Sequence, residues 1–260
     1  MIFYFSGTGN TRWAAEELAA ATKERLLFIP NELKTACEYT VEKDERIGFC
    51  FPVHGWQPPH IVREFIRKLR ITTAQREPLT THYTHALCTC GDSTGQAVTM
   101  LGKELSDKGI VLHSCQSLTM PESYVCLPFM YTDTPEREQR KLAQARKDLD
   151  AFIKVVTERQ MGYSQLTLGL TPWTFSHVIG AYFNRFMITD KKFTVDSDVC
   201  IHCGRCAKEC PVDDIVFDEI PKWKNDSSCT CCLSCYHHCP VHAINYGSIT
   251  RKRGQYYFGH

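Results

Sequence analysis

Along the N-terminal part of the chain, short continuous apolar runs alternate with segments whose apolar residues recur every three or four positions. Residues 1–5, Met-Ile-Phe-Tyr-Phe, are bounded by Ser6 and Gly7 and predict a buried strand. Runs over residues 25–29, 46–51, 83–90 and 110–115 predict four more. Helical spacing fills the gaps. Trp13, Ala14, Leu18 and Ala21 share one face, as do Ile61, Val62, Phe65, Ile66 and Leu69 within residues 59–69. A helix over 96–108 stops at Gly109, and a last one over 135–156 has Thr134 as its cap and Pro135 at its first position. Five strands alternating with helices predict an α/β fold with a doubly wound, five-stranded parallel sheet. Ligands of such sheets sit at the carboxyl ends of the strands, which directs attention to the loops after strands one, three and four.

Composition sharpens this picture in two places. A net charge of +1 gives no argument for nucleic acid, and the charges of residues 136–154 alternate in sign as on a solvated helix face. Residues 160–184 carry no Asp, Glu, Lys or Arg, yet Pro172 and three glycines break them, so a spanning helix is not expected. They read as a linker packed between two domains, with residues 178–188 as an apolar helix, and no membrane role is expected. Fifteen cysteines are many for 260 residues. With residues 1–5 leading straight into a Gly-rich turn, they suggest a reducing, cytoplasmic setting.

The turn after the first strand is Ser6-Gly7-Thr8-Gly9-Asn10-Thr11. A strand, a Gly-rich turn and a helix start aim backbone N–H groups at an anion. No Lys is present for a P-loop, and Arg12 stands where a dinucleotide fingerprint needs a small residue. The loop resembles the phosphate loop of flavodoxins through Ser6, Thr8, Gly9, Asn10 and Thr11. That resemblance implies FMN. It sets Pro52, Val53, His54, Gly55 and Trp56 along the flavin ring, with Trp56 stacking on it and a peptide free to rotate at Gly55. Cys90, Gly91, Asp92 and Gly95, in the loop after strand four, complete the expected ring contacts, with Tyr124 as a candidate cover. Cys88 and Cys90 read as small buried apolar residues. Arg12 is a candidate to neutralise the phosphate.

The C-terminal part is built on a repeat. Cys200, Cys203, Cys206 and Cys210 precede Pro211, and 29 residues on, Cys229, Cys232, Cys235 and Cys239 precede Pro240. Val212 and Ile215 fall on Val241 and Ile244, so one unit is written twice. A four-cysteine zinc site has two pairs and a longer spacer, which fits poorly. The spacing is similar to that of the bacterial two-cluster ferredoxins, in which the fourth cysteine of each run serves the other cluster. The resemblance implies one [4Fe–4S] cluster on Cys200, Cys203, Cys206 and Cys239, and a second on Cys229, Cys232, Cys235 and Cys210. Cys231 breaks the correspondence, its counterpart being His202, and is left out of both sets.

As a whole the chain resembles the flavodoxin–ferredoxin fusion proteins. The expected architecture is a flavodoxin-like FMN-binding domain over residues 1–159, a linker over 160–190, and an α+β two-[4Fe–4S] ferredoxin domain over 191–260. The implied cofactors are FMN and two [4Fe–4S] clusters. No constellation of a substrate pocket stands out, which favours an electron carrier serving a redox protein partner. The alternative is an FMN-dependent reductase of a small substrate, fed by the ferredoxin domain.

Overall fold

The computed structural model describes residues 1–75 and 77–259. The chain lays down β1 (Ile2–Tyr4), α1 (Asn10–Thr22), β2 (Leu26–Phe28), the short α2 (Ile29–Glu32), β3 (Glu38–Val41), β4 (Ile47–Pro52) and α3 (His60–Lys68). It continues through β5 (Arg70–Thr73), β6 (Thr84–Cys90), α4 (Ala97–Ser106), β7 (Ser114–Thr119), α5 (Pro135–Thr157) and β8 (Tyr163–Gln165). The main sheet runs β2-β1-β4-β6-β7-β8, and every pair in it is parallel. Without β8 this is the 2-1-3-4-5 order of flavodoxin-like folds, with its switch point between β1 and β4.

Alternation along β1 sends Phe3 into one core layer, with Phe49, Phe51 and Phe65, and Ile2 into the other, with Leu18, Leu118 and Phe152. Two sequence expectations need correction, and one small sheet lay outside them. The sheet has six strands, because residues 163–165, assigned to the linker, pair with the free edge of β7. The fifth strand covers Ser114–Thr119 instead of 110–115, since Ile110 packs as a loop residue beyond α4. A separate two-stranded sheet, β3 with β5, had no clear apolar signature.

After β8 the connector coils through α6 (Pro172–Thr174), a π-helical turn (Phe175–Ile179) and α7 (Gly180–Phe186). The side-chain amide of Gln57 donates to the Ser176 carbonyl at 2.6 Å, competing with the regular helical ladder at the π turn. Among the described residues no helix is long and apolar enough to cross a membrane.

The C-terminal module keeps the repeat in three dimensions. It comprises β9 (Phe193–Val195), α8 (Arg205–Lys208), β10 (Ile215–Phe217), β11 (Pro221–Trp223), α9 (Ser234–His237) and β12 (Ile244–Tyr246). A shift of 29 lays α8 on α9 and β10 on β12. Left-handed backbone recurs at the same offset: φ is 56° and 51° at His202 and Cys231, 68° and 61° at Gly204 and Leu233, and 54° at both Asp213 and His242. Bulky residues rarely adopt such angles, so the turn geometry itself is what the two copies share.

Candidate cofactor site

One cavity of about 230 Å³ lies at the switch point. The turn entering α1 supplies its floor through Ser6, Gly7, Thr8, Asn10 and Thr11. Gly9 sits at φ 94° as the helix cap and packs against Phe258 instead of lining the cavity. The side chains of this loop are held from behind. Ser6 Oγ accepts the Gly9 N–H at 3.2 Å, Thr11 and Thr89 share a hydroxyl hydrogen bond at 2.7 Å, and Asn10 donates to the Pro121 carbonyl at 3.2 Å. Among the described residues the cavity wall carries no Lys or Arg. Arg12 does not reach in: its guanidinium pairs with Glu16 at 2.7 Å and its side chain is 64% exposed. An anion here is met by neutral donors and the positive end of a helix of 13 residues.

Pro52, Val53, His54, Gly55 and Trp56 line one side. Gly55 and Trp56, at φ 54° and 57°, form a tight turn closed by the paired His54 and Gln57. The expected rotating peptide at Gly55 meets an obstacle, because its carbonyl is packed against Gly180 of α7. Trp56 donates to Ser93 Oγ at 3.1 Å and packs on Phe175 with ring centroids 4.7 Å apart, so its indole is anchored from behind. His54 is driven down to about 3 by burial, with His60 pushing the same way, and is neutral.

The opposite side comes from Cys90, Gly91 and Asp92, and from Pro121, Glu122 and Tyr124. Gly95, expected among the contacts, packs instead on Trp56 and Ser176. Glu122 lies directly against Gly91, and burial raises its carboxyl above the usual range. Tyr124 meets Phe183 edge-on at 5.3 Å.

The remaining wall was not foreseen. Phe183 and Ile188 of the connector, and Thr230, Cys231 and Cys232 of the C-terminal module, face the same cavity. Cys231 is buried; its thiol contacts Cys126 and Tyr124.

Cys200, Cys203, Cys206 and Cys239 line a second, small apolar cavity together with Ile201, Phe217 and Val241. The fourth of them comes from the other copy of the repeat. Cys235 lies within electrostatic reach of Cys232, Cys229 and Cys210 of its own set and of Cys206 of the first. Backbone N–H groups point at cysteine sulfurs in matching places, Asp214 to Cys210 at 3.3 Å and Ala243 to Cys239 at 3.2 Å, again 29 residues apart. Such bonds stabilise thiolate charge and tune a bound cluster. Among the described residues no three of His, Cys, Asp or Glu are drawn in to the spacing of a single metal ion.

Comparison with known proteins agrees with this part of the fold. The family described as "4Fe-4S dicluster domain" matches residues 192–240. A ferredoxin of Pyrobaculum islandicum is 35% identical over 78 residues, covering 26% of this chain and 70% of the relative. A ferredoxin of Moorella thermoacetica is 36% identical over 62 residues, covering 20% of this chain and 94% of the relative. The chain belongs, through this segment, to the 4Fe-4S ferredoxins, and joins that segment to a flavodoxin-like fold. It is an iron–sulfur electron-transfer protein in its C-terminal part. Among solved structures, the two-electron reduced flavodoxin of Megasphaera elsdenii is similar at 17% identity, over 56% of this chain and 97% of that one, with a TM-score of 0.31. The strand order, and not that score, carries the flavodoxin-like assignment.

Proposed function

We propose that this protein binds FMN in the larger cavity and two [4Fe–4S] clusters on the interlocked cysteine sets, and relays electrons between them and a redox protein partner. One observation carries the reading: a single cavity is walled by the phosphate-type loop Ser6–Thr11 and by Cys232 of the second cysteine set. FMN supplies the exchange between single-electron and pair transfer. The chain supplies placement. The start of α1 and the loop N–H groups would hold the phosphate, and Phe183 and Tyr124 line the same cavity. Neutral His54 adds no charge beside the ring. The proposed assignment is tested by purifying the protein without oxygen and measuring flavin, iron and sulfide. The expected result is FMN with about eight irons per chain. Iron without flavin would reduce the reading to a ferredoxin attached to an unused fold.

A second reading, reduction of a small substrate, is favoured by Glu122, a carboxyl raised by burial and placed on the cavity wall. Reoxidation of the reduced protein separates the two. The carrier reading expects redox proteins to take the electrons and small organic acceptors to leave Glu122→Gln and wild type indistinguishable. A Glu122-dependent turnover of one small acceptor would favour the enzyme.

A further inference from the structure

Gly7 stands in the phosphate-type loop, yet its φ lies outside the left-handed region, so no turn requires glycine there. What requires it is Cys232. A Cβ on Gly7 would lie 2.6 Å from Cys232 Cβ and 3.1 Å from both Cys232 Sγ and its carbonyl oxygen. Any side chain at this position drives the two loops apart. The seam is braced from behind by the C-terminal tail. Tyr256 donates its hydroxyl to Asn10 Oδ1 at 2.7 Å, the Phe258 N–H donates to the Thr8 carbonyl at 2.8 Å, and the Phe258 ring stacks on Trp13 with centroids 5.0 Å apart. The first cysteine set is placed differently. None of its four members lines the larger cavity, and its Cys203 is exposed.

We infer that the cluster on Cys210, Cys229, Cys232 and Cys235 is the direct electron partner of the flavin, and that Gly7 is the positioning residue that sets their separation. The inference rests on the cofactor assignment proposed above. It orders the relay: the exterior exchanges electrons with the first cluster at Cys203, that cluster with the second, and the second with the flavin across the Gly7–Cys232 contact. In each transfer toward the flavin one electron leaves the cluster, whose iron is oxidised, and enters the ring. Two transfers and two protons from water complete the reduction of the flavin. A low-potential one-electron donor protein refills the clusters.

The test uses the full chain with both cofactors, as wild type and as Gly7→Ala, with flavin and iron counted first. Each is partly reduced, and the EPR signal of the flavin radical is recorded with the clusters oxidised and then reduced. In the wild type the reduced cluster is expected to broaden the flavin signal and speed its relaxation. In Gly7→Ala that retains both cofactors this effect is expected to be measurably reduced. A flavin signal indifferent to cluster reduction in the loaded wild type overturns the inference. Undiminished broadening in loaded Gly7→Ala overturns the role of Gly7. Should Gly7→Ala fail to fold, the wild-type signal decides alone whether the contact is the route. Absence of flavin or iron from the wild type is seen in the cofactor count, before any spectrum, and defeats the underlying assignment instead.

Discussion

His85 is fully buried in β6, and neither of its ring nitrogens finds a hydrogen-bond partner among the described residues. Burial holds its pKa down to about 3, and the N-terminal ammonium and Arg46 push the same way. An unfolded imidazole takes its proton near about pH 6.5. Between those values the unfolded chain binds more protons than the folded one, so stability is lost as pH falls through that window. His85→Leu removes both the unpaired nitrogens and the titration. It is predicted to equal or exceed wild type in urea resistance at neutral pH and to flatten the acid slope by up to about 1.4 kcal/mol per pH unit. Parallel slopes for the two chains in urea titrations would contradict this. The cysteines argue in a related way. Burial pushes the Cys232 thiol up to about 12 and the Cys206 thiol up to about 11. A cluster binds thiolates, so loading must expel protons. Cluster reconstitution, followed by iron content, is therefore predicted to rise from mildly acidic to mildly alkaline buffer, and a flat profile would count against cysteine ligation by these groups.

The connector shows what an element does beyond joining two modules. Its inward positions Ser176, Gly180 and Phe183 face the Gly55–Trp56 turn, and Ser176 Oγ donates to the Trp56 carbonyl at 2.9 Å. A Cβ at Gly180 would collide with the Gly55 carbonyl. Gly180→Ala must push α7 away from the cavity wall, at an overpacking cost of roughly 1–3 kcal/mol. Affinity for the proposed flavin is predicted to weaken about tenfold, the equivalent of ~1.4 kcal/mol, measured by flavin fluorescence quenching. An unchanged affinity would show that α7 takes no part in the flavin wall. Elements of this kind also mark what a sequence conceals. The cysteine repeat was legible because ligand spacing and proline are local, and the phosphate-type loop was legible because its geometry is complete within six residues, Ser6 to Thr11. Strand β8, Tyr-Ser-Gln, has no apolar run; it is a strand because β7 offers a free edge. In β7 the buried Ser114, Gln116 and Ser117 hid a strand from hydrophobic patterning, while Ile110 suggested one too early. Phe183, Thr230 and Cys232 reach the cavity from distant parts of the chain, and only packing brings them to Ser6–Thr11.

At the scale of the whole molecule the two halves are interlocked rather than tethered. The C-terminal tail returns to the first loop of the chain through Tyr256 and Phe258, His237 bridges to the Ser123 carbonyl at 2.6 Å, and Lys34 pairs with Asp213 at 2.6 Å. The exposed Lys34 pair adds little energy by itself. The tail and His237 contacts are better sheltered and fix the larger cavity against the second cysteine set. A molecule built this way is predicted to behave as one redox unit. The most direct test is an anaerobic reductive titration of the fully loaded protein with electrons counted per chain. The account predicts uptake of about four electrons, two by the flavin and one by each cluster, with the flavin bands and the iron–sulfur shoulder both responding. Uptake of only about two electrons, with no flavin band to bleach, would contradict it.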